Sequence, residues 1–151
     1  MRPRGFTLVE VLVSLAVLSV GLLGAAAMLL ASLRGLADAQ LENAATGLLR
    51  DLADRIRLNA AGRAAYASGS AVPACADAEP CDAASRAAAD RVWFELRARA
   101  LDPQIIATVE FAPAIGPTAP DRYLLSLRSG DADRGPGDIS LQVLVRAPVA
   151  G

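Results

Sequence analysis

A stretch of 23 residues, Val11 to Leu33, carries no charged side chain, and nothing else constrains the fold of this chain as strongly. As a helix it is long enough to cross the hydrocarbon core of a bilayer. Ser14, Ser19 and Ser32, the polar groups within it, can each return a hydrogen bond to the carbonyl one turn earlier. A secretory signal peptide has a shorter apolar core followed by a small-residue cleavage site. Here the run is too long, and the small residue, Gly5, stands in front of it beside Arg2 and Arg4. A plain anchor accounts for the length but not for Glu10, the single charge between Phe6 and Leu33. A carboxylate at the centre of a membrane helix costs about 2.5–3.5 kcal/mol, and such groups usually mark function and have a partner. Snorkelling to the headgroups is the simpler alternative.

Gly5-Phe6-Thr7-Leu8-Val9-Glu10, with the basic leader before it and the long apolar helix behind it, resembles the class III signal of type IV pilins and pseudopilins. The resemblance implies a leader at residues 1–5, cut by a prepilin peptidase between Gly5 and Phe6, with methylation of the new amino group of Phe6. Glu10 then becomes the fifth residue of the mature chain, where the family keeps a glutamate that sets subunit register. Residues 6–33 become the transmembrane and filament-core half of the first helix, with Leu8, Leu12, Leu15, Gly21 and Gly24 packing in that core. Residues 34–151 become a periplasmic head that includes the amphipathic half of the helix. The implied partners are other minor and major pilins, the peptidase, the inner-membrane assembly platform and, before assembly, membrane lipid. The implied location is the inner membrane, single-pass, and then an extracellular pilus.

Elementary physics is compatible with that role. A free α-amino group has a pKa of about 7.7–8.0 and is largely cationic at neutral pH. In a low-dielectric helix bundle it pairs well with the Glu10 carboxylate of a neighbouring subunit, each charge offsetting the desolvation of the other. Gly21 and Ala25 form a small-xxx-small pair that lets helices approach closely, although glycine is common in membrane helices in any case. No proline lies between Gly5 and Val72, so any unwinding of this helix relies on Gly21 and Gly24.

The chain has 151 residues, room for one small domain and an anchor. Its formal charge is -1, and loss of Arg2 and Arg4 with the leader makes it more negative. That balance argues against nucleic acid, which calls for a clustered basic face. Histidine is absent, which removes the commonest general base and metal ligand. No Gly-x-Ser-x-Gly, phosphate loop or metal cluster is present either, so no catalytic residue, metal or cofactor is expected.

Beyond Leu33 the pattern changes but the helix continues. Leu41, Ala45, Leu48, Leu49, Leu52 and Ile56 recur at three- and four-residue spacing, and Asp51 with Arg55 and Asp54 with Arg57 are placed to pair along it. The reading is one helix from about Thr7 to Asn59, with Leu41, Leu48, Leu52 and Ile56 buried against the head. A coiled coil is the alternative, but strict heptads are not sustained. Residues 61–84 read as a loop, with Gly62, Gly69, Pro73 and Pro80. Cys75 and Cys81 lie in it, beyond the membrane helix. With Arg2 and Arg4 held in the cytoplasm they fall in a compartment that permits a disulfide; a redox pair is the alternative.

A second helix is expected from Asp82 to Leu101, capped by Asp82 or Ser85, with an apolar stripe of Ala89, Val92, Trp93, Leu96 and Leu101. Trp93 is read as a core anchor, with a binding role as the alternative. Three strands follow: Ile105 to Phe111, Tyr123 to Arg128 and Ile139 to Arg146. Tyr123, Leu125 and Leu127 share one face of the second, and Ile139, Leu141, Val143 and Val145 one face of the third, which predicts an antiparallel meander with one buried face. The loop from Ser129 to Asp138 reads as a solvated turn; Asp131, Asp133 and Asp138 as calcium ligands are the alternative. The fold class is thus α+β, a pilin-like lollipop: a long N-terminal helix packed on a small antiparallel sheet with a second short helix.

Within the head, Leu52-Ala53-Asp54-Arg55-Ile56-Arg57, Asn59, Tyr66, the pair Cys75 and Cys81, Ala89-Asp90 and Trp93 resemble PilV-type minor pilins, the type IV pilus modification proteins. Leu101-Asp102-Pro103-Gln104 replaces that family's Leu-Pro-Gly-Gly turn. The resemblance implies a structural and assembly subunit acting in a priming or tip complex. A minor pseudopilin of type II secretion and a tip-exposed adhesion or binding module are the alternatives.

Overall fold

The computed structural model describes residues 7–75, 81–116, 119–129 and 138–146. It opens on one 51-residue helix, α1 (Leu8–Leu58), close to the span predicted from periodicity. The chain divides into two compact units, residues 1–39 and residues 40–151, and α1 contributes to both.

In the first unit every described side chain is exposed. Thr7 starts the helix: its carbonyl accepts from the Glu10 and Val11 amides at 3.1 and 3.3 Å, and its hydroxyl accepts from the Glu10 amide at 3.3 Å. The three serines behave as their positions require. Ser14, Ser19 and Ser32 donate to the carbonyls of Glu10, Leu15 and Met28 at 2.7, 2.7 and 2.9 Å, so no hydroxyl proton is left for an apolar surrounding to solvate.

The second unit is a small α+β domain. After α1 come two 3-10 turns merged over Ala60–Tyr66, then α2 (Ala83–Leu101) and strands β1 (Ile106–Ala112), β2 (Asp121–Arg128) and β3 (Asp138–Val145). The sheet is antiparallel throughout, in the order β1-β2-β3, a meander as expected. Its register stacks the inward residues in rows: Ala107, Leu127 and Ile139; Val109, Leu125 and Leu141; Phe111, Tyr123 and Val143. Those rows pack with Ala45, Leu49, Leu52, Ala53 and Ile56 of α1 and with Phe94 and Ala98 of α2 in one core. Of the four α1 residues expected inside, Leu48, Leu52 and Ile56 are buried and Leu41 is half-buried.

Two expectations are corrected. The first part of the loop is structured: Ala60–Tyr66 forms 3-10 turns interrupted at Arg63, whose φ is 30°. Its anchor is Tyr66, which is fully buried and stands edge-on to Tyr123 at 6.4 Å between ring centres. The second correction concerns α2. Its buried side is Ala87, Ala88, Arg91, Phe94 and Ala98, while Val92 and Leu96 of the predicted stripe are exposed and Ala89, Trp93 and Leu101 are only half-buried. Alanines let α2 lie close to the 3-10 turns, and a face of Val92 and Leu96 would hold it away. The predicted cap is present: Asp82 Oδ1 accepts from the Ser85 amide at 2.6 Å, and that bond holds the Asp82 carboxyl below its ordinary range.

Candidate functional site

Two clusters were singled out by the sequence, and each lies within one unit. In the N-terminal unit, Leu8, Leu12 and Leu15 are 80, 58 and 55 % exposed, and a Cβ on Gly21 or Gly24 would meet nothing within 4 Å. Glu10 is exposed and forms no ion pair with a described residue. The geometry is a bare apolar helix with a single carboxylate near its start, a surface that needs lipid or other helices around it. Gly5 and Phe6 lie outside the described residues. α1 is long and apolar enough to cross a membrane.

In the second unit five of the residues that carry the PilV-type resemblance, Arg55, Asn59, Tyr66, Asp90 and Trp93, come together. The Arg55 guanidinium donates from Nη1 to Asp90 Oδ1 at 2.9 Å and from Nε to Asp51 at 3.1 Å. It lies 4.0 Å from the ring centre of Trp93, within cation–π range. The Tyr66 hydroxyl donates to Asp90 Oδ2 at 2.9 Å and accepts from Asn59 Nδ2 at 3.1 Å. Asn59 Nδ2 also donates to the Ala83 carbonyl at 2.8 Å. Burial, reinforced by the Asp90 charge and opposed by the Asn59 bond, pushes the Tyr66 phenol well above its ordinary value. Residues from α1, the 3-10 turns and α2 are thereby tied through one carboxylate. Trp93 is half-buried, packed against the edge of the core as its anchoring role requires, with its other face covered by Arg55.

Cys75 and Cys81 form a disulfide, with their Cα atoms 5.6 Å apart. Asp138 pairs with Arg128 at 3.0 Å, while Asp131 and Asp133 lie outside the described residues. Among the described residues no group of His, Cys, Asp or Glu is assembled to hold a metal.

Sequence reasoning missed two further arrangements. Arg63 pairs with Asp121 at 3.0 Å, and buried Arg91 donates to the carbonyls of Ala67 and Ser70 at 2.6 and 3.0 Å. Each fastens the segment after α1 to something far along the chain. No local pattern announces such contacts, although a buried-face arginine between Ala87, Ala88 and Phe94 was the one available signal.

Residues 1–26 match the family profile of the prokaryotic N-terminal methylation motif. The match supports a type IV pilin-like protein. Proteins of this class are subunits of a pilus or pseudopilus, structural rather than catalytic, and the motif implies in general terms contact with other pilins and processing by prepilin peptidase. No curated protein and no solved structure matches the chain.

Proposed function

We propose that the chain is a minor pilin of a type IV pilus, a structural and assembly subunit of a priming or tip complex. The carrying observation is the methylation motif at residues 1–26 joined to a fully exposed apolar stretch of α1, residues 8–33, whose single charge is Glu10. In this reading the peptidase cuts after Gly5, Phe6 carries the methylated amino group, and residues 6–33 pass from the inner membrane into the filament core. The amino group pairs with Glu10 of a neighbouring subunit, and Leu8, Leu12, Leu15, Gly21 and Gly24 supply adhesion. The head, residues 34–151, lies in the periplasm before assembly. The assembly platform extracts the chain from the membrane among other minor and major pilins.

The PilV-type assignment is supported by the convergence of Arg55, Asn59, Tyr66, Asp90 and Trp93, which the sequence scatters over 39 positions, on one hydrogen-bonded cluster. The test is intact-mass and N-terminal peptide spectrometry on protein from membranes and from sheared filaments. A chain beginning at N-methylated Phe6 in pilus fractions is the expected result. The same mature chain co-purifying with secretion components instead would assign it to a pseudopilus. A chain still beginning at Met1 in cells with active peptidase would overturn the pilin reading.

A further inference from the structure

The two edges of the sheet differ. β1 is closed at its middle: the Val109 amide donates to Ser68 Oγ and the Val109 carbonyl accepts from the Ser68 amide, both at 2.8 Å. Successive residues of a strand send their backbone groups to opposite sides. With Val109 turned outward, the register makes Thr108 and Glu110 bond to Ser126 and Leu124, and Tyr123, Leu125 and Leu127 bond to Val143, Leu141 and Ile139. The N–H and C=O groups of Ser140, Gln142 and Leu144 therefore point away from β2, and no described backbone group meets them.

β3 also lacks the features that usually close an edge. It has no proline, glycine or lysine from Asp138 to Val145, and no bulge breaks its register with β2. Its inward residues, Ile139, Leu141, Val143 and Val145, carry no charge. The apolar rows are incompletely covered here: Ile139 and Leu141 are half-buried, although Leu127 and Leu125 beside them are fully buried. Opposite charges bound the open edge. Asp138 Oδ1 is taken by Arg128, which leaves Oδ2, and Arg146, just past the strand, is exposed and forms no ion pair with a described residue.

We infer that β3 takes an added antiparallel strand from another polypeptide: an extended segment with apolar residues at every second position, an acidic residue opposite Arg146 and a basic residue opposite Asp138. Alternate residues of the segment exchange paired hydrogen bonds with Ser140, Gln142 and Leu144. The residues between them turn to the core side and cover Ile139 and Leu141. Antiparallel addition continues the pattern of the sheet and gives the more stable ladder. In that direction the acid comes first in the segment and the base last, so the two charges fix orientation and register together.

The probe is a nine-residue peptide, the length of residues 138–146, with aspartate first, arginine last, and valine and threonine alternating between them from valine. Its binding to the full chain in detergent is followed by fluorescence anisotropy of the labelled peptide, and saturable binding is expected. Residue-resolved hydrogen exchange is expected to slow at the Ser140, Gln142 and Leu144 amides. The Leu141 and Val143 amides, already bonded to β2, should keep their rates. N-methylation of the central threonine, whose amide faces Gln142, is expected to weaken binding roughly tenfold or more. N-methylation of a neighbouring valine, whose amide faces away, should leave it unchanged. Exchanging the terminal aspartate and arginine sets like charges opposite each other and is expected to weaken binding several-fold. Absence of saturable binding, equal weakening by the two N-methylations, protection confined to other parts of the head, or equal binding of the charge-exchanged peptide overturns the inference. The binding concerns the sheet edge alone, so its failure leaves the pilin reading untouched, and failure of that reading leaves the edge site standing.

Discussion

Arg63 donates from Nε and Nη2 to the two carboxylate oxygens of Asp121, at 3.1 and 3.0 Å, and thereby fastens the 3-10 turns to the first residue of β2. Asp121 is 2 % exposed and takes a third bond from the Ala114 amide at 2.8 Å. Burial works against its charge, but the guanidinium and the amide outweigh burial and hold its carboxyl below the ordinary carboxylate range. A carboxyl depressed in the folded state adds stability above its unfolded pKa, near 3.9, and loses it as pH falls through the folded value. Asp121→Asn is therefore expected to lower Tm at pH 7, with the gap to wild type closing below about pH 4. Paired thermal melts between pH 3 and 7 check this. A gap that is constant with pH would show that the pair's charge contributes nothing.

Gly62 is a glycine for reasons of space. A Cβ there would lie 2.8 Å from the Ala83 carbonyl oxygen, 2.8 Å from Asn59 Nδ2 and 2.9 Å from the Ala87 Cβ. Two of those neighbours are parts of helices and cannot yield cheaply, and the third would have to leave the Tyr66 network. Gly62→Ala is expected to destabilise the head by about 1–3 kcal/mol, as overpacking does, despite alanine's better helix propensity. Chemical denaturation of the two proteins decides it. Equal midpoints would mean that α2 shifts freely away from the turns.

Tyr123 is the opposite case, a polar group the fold does not use. It packs against Phe111 at 5.0 Å between ring centres, and its buried hydroxyl bonds to no described residue. Burial, together with the nearby Asp121 charge, pushes the phenol up to about 12. Tyr123→Phe removes an unsatisfied hydroxyl and keeps the ring. The expected outcome is unchanged or increased stability, by up to about 1 kcal/mol, measured as the shift in denaturation midpoint. A loss of more than that would mean the hydroxyl is bonded.

The elements were legible wherever spacing carries the signal. The alternation of Tyr123, Leu125 and Leu127 fixes a strand face because a one-residue slip would expose all three. The uncharged run, followed by leucines at helical spacing, fixes α1. The face of α2 was not legible. Hydropathy points Val92, Trp93 and Leu96 inward, but the available space is set by volume, and Ala87, Ala88 and Ala98 fit where larger side chains do not. Arg63 with Asp121, 58 residues apart, leaves no local trace, and Arg91 leaves only its place among Ala87, Ala88 and Phe94. The N-terminal cluster was legible as a motif, because six consecutive residues carry it, whereas the head cluster around Asp90 is readable only once three elements are folded together.

The proposed function turns on Glu10. Its backbone is already committed: the amide is capped by Thr7 and the carbonyl accepts from Ser14, which leaves the exposed carboxylate as the group available to a partner. If that carboxylate meets the amino group of Phe6 in a neighbouring subunit, removing only its charge leaves helix, cap and apolar surface intact. It also lowers the cost of residing in the bilayer. Glu10→Gln is therefore expected to be cleaved and membrane-inserted like wild type, while its share in sheared filaments falls roughly a hundredfold or more, the loss expected when a desolvated cation is left unpaired at a cost of about 3–5 kcal/mol. Quantitative immunoblots of membrane and filament fractions, with the N-terminal peptide as the processing control, make the comparison. Normal incorporation of Glu10→Gln would mean that the carboxylate merely reaches the headgroups and that register is set by side-chain packing alone.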